Sequence, residues 1–182
     1  EYYIGSGQFG VKGYNKLGST MYEDVGVGFF RQDGHINQTS IMAFQWCLYG
    51  TVGHSNADKL GIVFGSNGKN LLYDAGAYSY STTPRTEYAK HTIAHNTVVV
   101  DEQSQAPYPS HTEKAEFIND KPNTFTGGEL NNVSIGPLSR VMQISNNNCY
   151  AFLNVDTDRT VWHIDNYLVD IFHANSMNNH QY

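Results

Sequence analysis

The chain has 182 residues, with 17 acidic against 11 basic side chains and a formal net charge of −6. So few Lys and Arg, with no run of them anywhere, leave no basic footprint for nucleic acid or an anionic membrane. Hydrophobic residues at 40% and aromatics at 13% supply enough apolar surface for a core, which excludes intrinsic disorder and fits one domain.

Residues 1–20, glycine-rich between Gly5 and Gly18, read as an irregular segment, and residues 21–182 as one β-sandwich domain. Short β-branched and aromatic runs between turn signals predict strands over 25–31, 41–49, 59–64, 70–74, 96–101, 113–119, 139–144, 150–155, 160–164 and 167–173. Ser66-Asn67-Gly68-Lys69 fits a hairpin turn and Asp165-Asn166 a tight turn before Tyr167. Gln103 to Ser110 reads as a loop, Asn154 to Asp158 as an oxygen-rich turn, and the segment from Arg85 to Ala94 as a short helix. The pattern predicts an all-β, antiparallel sandwich of about ten or more short strands.

No apolar stretch approaches the roughly 18 residues that span a bilayer, so no membrane insertion is expected. Cys47 and Cys149 neither demand nor forbid a disulfide, and Trp46 and Trp162 are expected in the core. Strand-like residues persist to Phe172, with a polar tail from Asn175 to Gln181, which reads as a piece of something larger.

Three clusters carry chemistry: Gly53-His54-Ser55-Asn56-Ala57-Asp58, Tyr73-Asp74-Ala75-Gly76-Ala77-Tyr78, and His91-Thr92-Ile93-Ala94-His95-Asn96-Thr97. Each sets His or Asp at a strand end among small residues, a placement that suits a proton carrier or a metal ligand. In this order, and with Gly26-Val27-Gly28-Phe29-Phe30-Arg31 ahead of them, they resemble the heparinase II/III-like polysaccharide lyases.

The resemblance implies a β-sandwich that follows a helical toroid in a larger enzyme. It also implies an acidic, uronate-containing polysaccharide or oligosaccharide as substrate, β-elimination as the reaction, and a secreted or periplasmic location. His54 matches the catalytic histidine of the cleft, with Tyr78, Tyr80, Arg85 and Tyr88 as rim candidates. Asp74 and His95 match two ligands of a metal, commonly zinc, and Asn56 stands where the family's pattern has the third, a histidine. Asn offers only a neutral oxygen, so the resemblance implies zinc or another divalent metal held more weakly. Without the toroid the chain is expected to be half a site with little turnover alone. The rival expectation is a non-catalytic carbohydrate-binding sandwich, in which Asn56 marks a lost site.

Overall fold

The computed structural model describes residues 18–32, 41–45, 56–76, 78–79, 82–105, 117–118, 121–122, 127–165 and 167–182, with 41–45, 117–118 and 121–122 as backbone. Two antiparallel sheets form the domain. The first is a meander in the order β1 (Thr20–Tyr22), β2 (Val27–Arg31), β3 (Ile41–Gln45), β4 (Ile62–Ser66) and β5 (Lys69–Leu72). A two-stranded ribbon of β6 (Phe117–Ile118) and β7 (Lys121–Pro122) comes next, and then β8 (Glu129–Ile135), β9 (Ser139–Ser145), β10 (Asp156–Ile164) and β11 (Tyr167–Asn175) make the second sheet in the order β11-β10-β9-β8.

Period-two alternation decides which face of each strand is buried. Arg140, Met142 and Ile144 point inward from β9, and Thr157, Arg159, Val161 and His163 from β10. Met142, Ile144 and Val161 meet Phe30 of β2, Ile62 of β4 and Leu60 in one fully enclosed core. Gly28 lets the sheets approach: a Cβ there would lie 2.6 Å from Met21 Sδ and 3.2 Å from Met142 Cε. A second cluster of Val100, Cys149, Tyr150 and Val155 sits under the connections, where the Tyr150 hydroxyl donates to the Val98 carbonyl at 2.9 Å.

The hairpin at 66–69 forms as expected, with Asn67 at φ 52° and Gly68 at φ 70° supplying the left-handed turn that matches strand twist. Asp165, at φ 49°, likewise turns β10 into β11. Cys149 is a buried free thiol, its pKa raised to about 11 chiefly by burial. Trp46, Cys47 and Pro107 to Ser110 lie outside the described residues.

Several expectations are corrected. Residues 59–61 are a turn, with Leu60 at φ 57° and the Gly61 amide donating to the Asp58 carbonyl at 2.9 Å. Their backbone groups are taken by distant side chains instead of a ladder: the Gln105 carboxamide bonds both Lys59 N and Lys59 O, and the Thr97 hydroxyl donates to Lys59 O. Residues 96–101 bend rather than pair, save one bridge from Val100 to Gln103. Within 150–155 a single 3-10 turn, Ala151–Leu153, replaces the expected strand. The 85–94 helix is two short turns, Arg85–Ala89 and Thr92–Ala94.

Asp156 and Asp158 belong to β10, not to a loop. Trp162 is 43% exposed on the outer face of its sheet, with its indole N–H on Ser139 Oγ at 2.8 Å. The tail is pinned, not loose: His180 Nδ1 meets Asp101 Oδ2 at 2.6 Å and the Gln181 amide donates to Asp101 Oδ1 at 2.8 Å.

His163 is buried at 1% exposure with its ring against Phe64. Burial first, and then the Arg140 charge, holds its pKa below 6.5. The unfolded chain therefore binds a proton that the folded chain refuses, and stability falls as pH drops below about 6.5. His163→Phe is expected to shrink the loss of Tm between pH 7 and pH 5, and an unchanged loss would contradict this assignment.

Candidate functional site

Asp58, Asp74 and His95 come from three separated segments and meet where β4 and β5 face the bends around 91–97. The segment before β4 carries Asp58, the exit of β5 carries Asp74, and the Thr92–Ala94 turn ends at His95. Asn96 ties them, its carboxamide N–H groups donating to the Ile62 and Tyr73 carbonyls at 3.0 Å each. The Ala57 amide bonds the Lys90 carbonyl at 2.9 Å, and Gln105 N bonds Thr92 Oγ1 at 2.9 Å, which fixes the turn that delivers His95.

His95 Nδ1 and Asp74 Oδ2 lie 2.5 Å apart, and Asp74 Oδ1 accepts the Gly76 amide at 3.0 Å. Burial alone would push the His95 pKa down, but the Asp74 hydrogen bond and the Asp58 and Asp74 charges hold it above 6.5. Burial would likewise raise the Asp74 carboxyl, yet the His95 bond and the Gly76 amide keep it below 3.8. Asp58, dominated by burial, is raised despite Lys59 and His95. The environment thus favours an imidazolium–carboxylate pair with a second acidic group beside it.

A cavity of about 40 Å³ lies against Asp58, Ile62, Val63, Asp74, His95 and Asn96. It shares Val63 and Asp74 with an open groove of about 430 Å³ along the β4–β5 hairpin, where Phe64, Lys69, Leu72 and Tyr73 form much of the wall. The groove is large enough for a sugar ring or two; Asp74, part-exposed, lines it, and the buried His95 lies behind Asp74 in the smaller cavity.

The structure brings Asp74 and His95 together among the expected metal residues. Asn56 is half-buried, its Oδ1 without a hydrogen-bond partner among the described residues. His95 Nε2 also lacks one at bonding geometry, although the Ala89 carbonyl lies close enough to favour a protonated ring. Among the described residues no three His, Cys, Asp or Glu side chains converge as a metal-binding group. Asp58, Asp74 and His95 line one small cavity without closing into such a group, and His54 lies outside the described residues.

Of the rim candidates, Tyr78 and Tyr88 are exposed, whereas Arg85 is buried at 6% in the Arg85–Ala89 turn. His54 and Tyr80 lie outside the described residues. His91 Nδ1 meets Ser104 Oγ at 3.0 Å and Nε2 meets the Thr86 carbonyl, a partnership separate from the His95 pair. Sequence reasoning missed Gln105 and Arg159, which brace the site from afar. Arg159 carried a signal, because it alternates with the inward Val161 and His163.

Residues 18–167 match the family model described as heparinase II/III-like, C-terminal, and the chain belongs to that family. Among solved structures it is similar to the heparan sulfate lyase HepC from Pedobacter heparinus, with a TM-score of 0.69 and 20% identity over 88% of this chain. A mutant of that lyase gives 0.68 at 20% identity, and the heparinase III BT4657 gene product 0.69 at 19%, each over 88% of this chain. The chain spans about a fifth of these proteins' length, 22% of each. None of the curated proteins matches it.

Proposed function

We propose that the chain is the β-sandwich portion of a secreted or periplasmic polysaccharide lyase that cleaves uronate-containing glycans by β-elimination, completed by a helical toroid. One observation carries the reading: in a chain of this family, a sugar-sized groove is lined by Asp74, which is bonded to His95 behind it. In the reaction the uronate carboxylate is neutralised, which stabilises the enolate-like intermediate that forms when a base removes the C5 proton. The electron pair then forms the C4=C5 double bond as the C4–O bond breaks, and an acid returns a proton to the departing oxygen.

His54 is the proton carrier in this reading, with Tyr78 and Tyr80 on the rim. Tyr88 is exposed and open to substrate, while Arg85 serves from within its turn as support for the rim. The Asp74–His95 pair braces the cleft floor, taking up the cross-linking that the family assigns to a metal, and no step of the reaction is routed through one. A longer polypeptide that includes the residues upstream should release ultraviolet-absorbing unsaturated uronate from at least one of heparan sulfate, chondroitin sulfate and alginate. No absorbance from any uronate polymer would defeat the proposal.

The metal is settled by a separate experiment. Outer-shell changes alone move metal affinity about 10- to 100-fold, so giving the site an imidazole in place of a neutral oxygen should move it at least that far. Asn56→His is expected to retain zinc through dialysis where the unaltered chain loses it, as read by elemental analysis. Equal zinc retention by both would contradict a site that functions without it.

A further inference from the structure

Arg159 projects from the middle of β10 into the sandwich and is 5% exposed. Its guanidinium is used on both sides. Nε and Nη2 donate to Asp170 Oδ1 and Oδ2 on β11 at 2.7 and 2.5 Å, a two-pronged pairing that fixes the plane of the fork. Nη1 donates to the Leu60 carbonyl and the Asn96 carbonyl, each at 2.6 Å. One nitrogen of the second sheet thus bridges two segments that carry the site, the turn after Asp58 and the bend after His95.

The bridge reaches the acid–imidazole pair in one more step. Asn96, held through its carbonyl, uses its carboxamide to grip Ile62 at the start of β4 and Tyr73 next to Asp74. Leu60 sits at φ 57°, a conformation unfavourable for a branched side chain, and such backbone persists only where the surroundings enforce it. The bond from Arg159 to the Leu60 carbonyl supplies part of that constraint, beside the bonds of Gln105 and Thr97 to Lys59.

The geometry points to Arg159, fixed by Asp170, as a positioning residue that sets His95 against Asp74 from the opposite sheet. A planar fork with fixed donors is required, because four bonds in two directions leave one cation no freedom, and the point charge of Lys does not reproduce them. A merely structural role would need only a side chain that fills the space. The consequence for turnover rests on the lyase reading; the consequence for the pair does not.

The test reads the His95 Nδ1 proton in the nuclear magnetic resonance spectrum of the histidine-labelled chain, where a short bond to a carboxylate gives a far-downfield, exchange-protected signal, assigned to His95 by its loss in His95→Gln because His180 Nδ1, 2.6 Å from Asp101, can give one too. Arg159→Lys is expected to abolish that signal while circular dichroism stays that of the folded sheet. If Arg159→Lys does not fold, the paired change Arg159→Leu with Asp170→Leu removes charge and partner together, a replacement folds commonly tolerate, and it too should fold and lack the signal. Asp158→Asn, on the outer face of the same strand, should leave it intact. A folded Arg159 variant that keeps the signal, or an unaltered chain that never shows it, overturns the inference. In the longer enzyme, Arg159→Lys should lower kcat/KM about 100-fold, the scale of a misplaced group. Failure of all polymers to react would count against the lyase reading alone, since the resonance is read without substrate.

Discussion

Replacing His54 by alanine in the longer enzyme is expected to lower turnover on the responding polymer by about 10²- to 10⁴-fold, the usual contribution of a positioned proton carrier. His54 opens the stretch that ends in Asp58, and Asp58 already lies against the cavity shared with Asp74 and His95. The loss should fall on kcat more than on KM, because a proton carrier acts as the C–H bond breaks rather than when the sugar docks. Tyr88→Phe, which removes one exposed hydroxyl, serves as the comparison on the rim. Turnover within a few-fold of the unaltered enzyme would remove His54 from the chemistry and move the search to the remaining tyrosines.

Phe30→Ala should produce the largest effect on folding, a loss of about 3–5 kcal/mol. Phe30 is fully buried at the centre of the core, on a strand paired on both sides, and it packs against residues of the opposite sheet. Truncation removes the ring from every one of those contacts and leaves a cavity that two hydrogen-bonded sheets cannot collapse to fill. Typical domain stability is only about 5–15 kcal/mol, so the variant should unfold at far lower urea than the unaltered chain. Ile171→Ala, on the exposed face of β11, should change stability by no more than about 0.5 kcal/mol. Similar losses at the two positions, measured by urea titration, would mean that the two sheets do not enclose the core in solution.

The parts of this fold that were legible in the sequence are those set by local chemistry. Asn67-Gly68 and Asp165 adopt left-handed backbone because their residue types tolerate it, so both hairpins could be read directly. The apolar and β-branched runs at 139–144 and 160–164 marked β9 and β10 as strands, and their alternation turns Met142, Ile144 and Val161 inward. The same alternation put Trp162 in phase with Asp158 and Thr160, the outward residues; its size and apolarity hid a phase that was there to read.

β8 escaped notice because it is an edge strand, half-exposed and polar, with a bulge between Leu130 and Asn132 that breaks the period. Residues 59–61 were misread for a different reason. An apolar run looks like a strand, but what holds it is Gln105, Thr97 and Arg159, and no local pattern announces a partner that far along the chain. The site follows the same division. Asp74 and His95 could be picked by residue type and motif order, whereas their direct bond and the arginine behind it depend on packing between sheets.

The central claim is that this chain supplies one wall of a lyase site and needs a second. It is tested most directly by following unsaturated-uronate absorbance with heparan sulfate, chondroitin sulfate and alginate, product from any one of them counting, for the bare chain and for the same chain extended upstream. The account predicts steady product from the extended protein and none above background from the bare chain. Equal turnover by the two would contradict the shared site, and glycan binding by the bare chain with no product from either would make this sandwich a binding module.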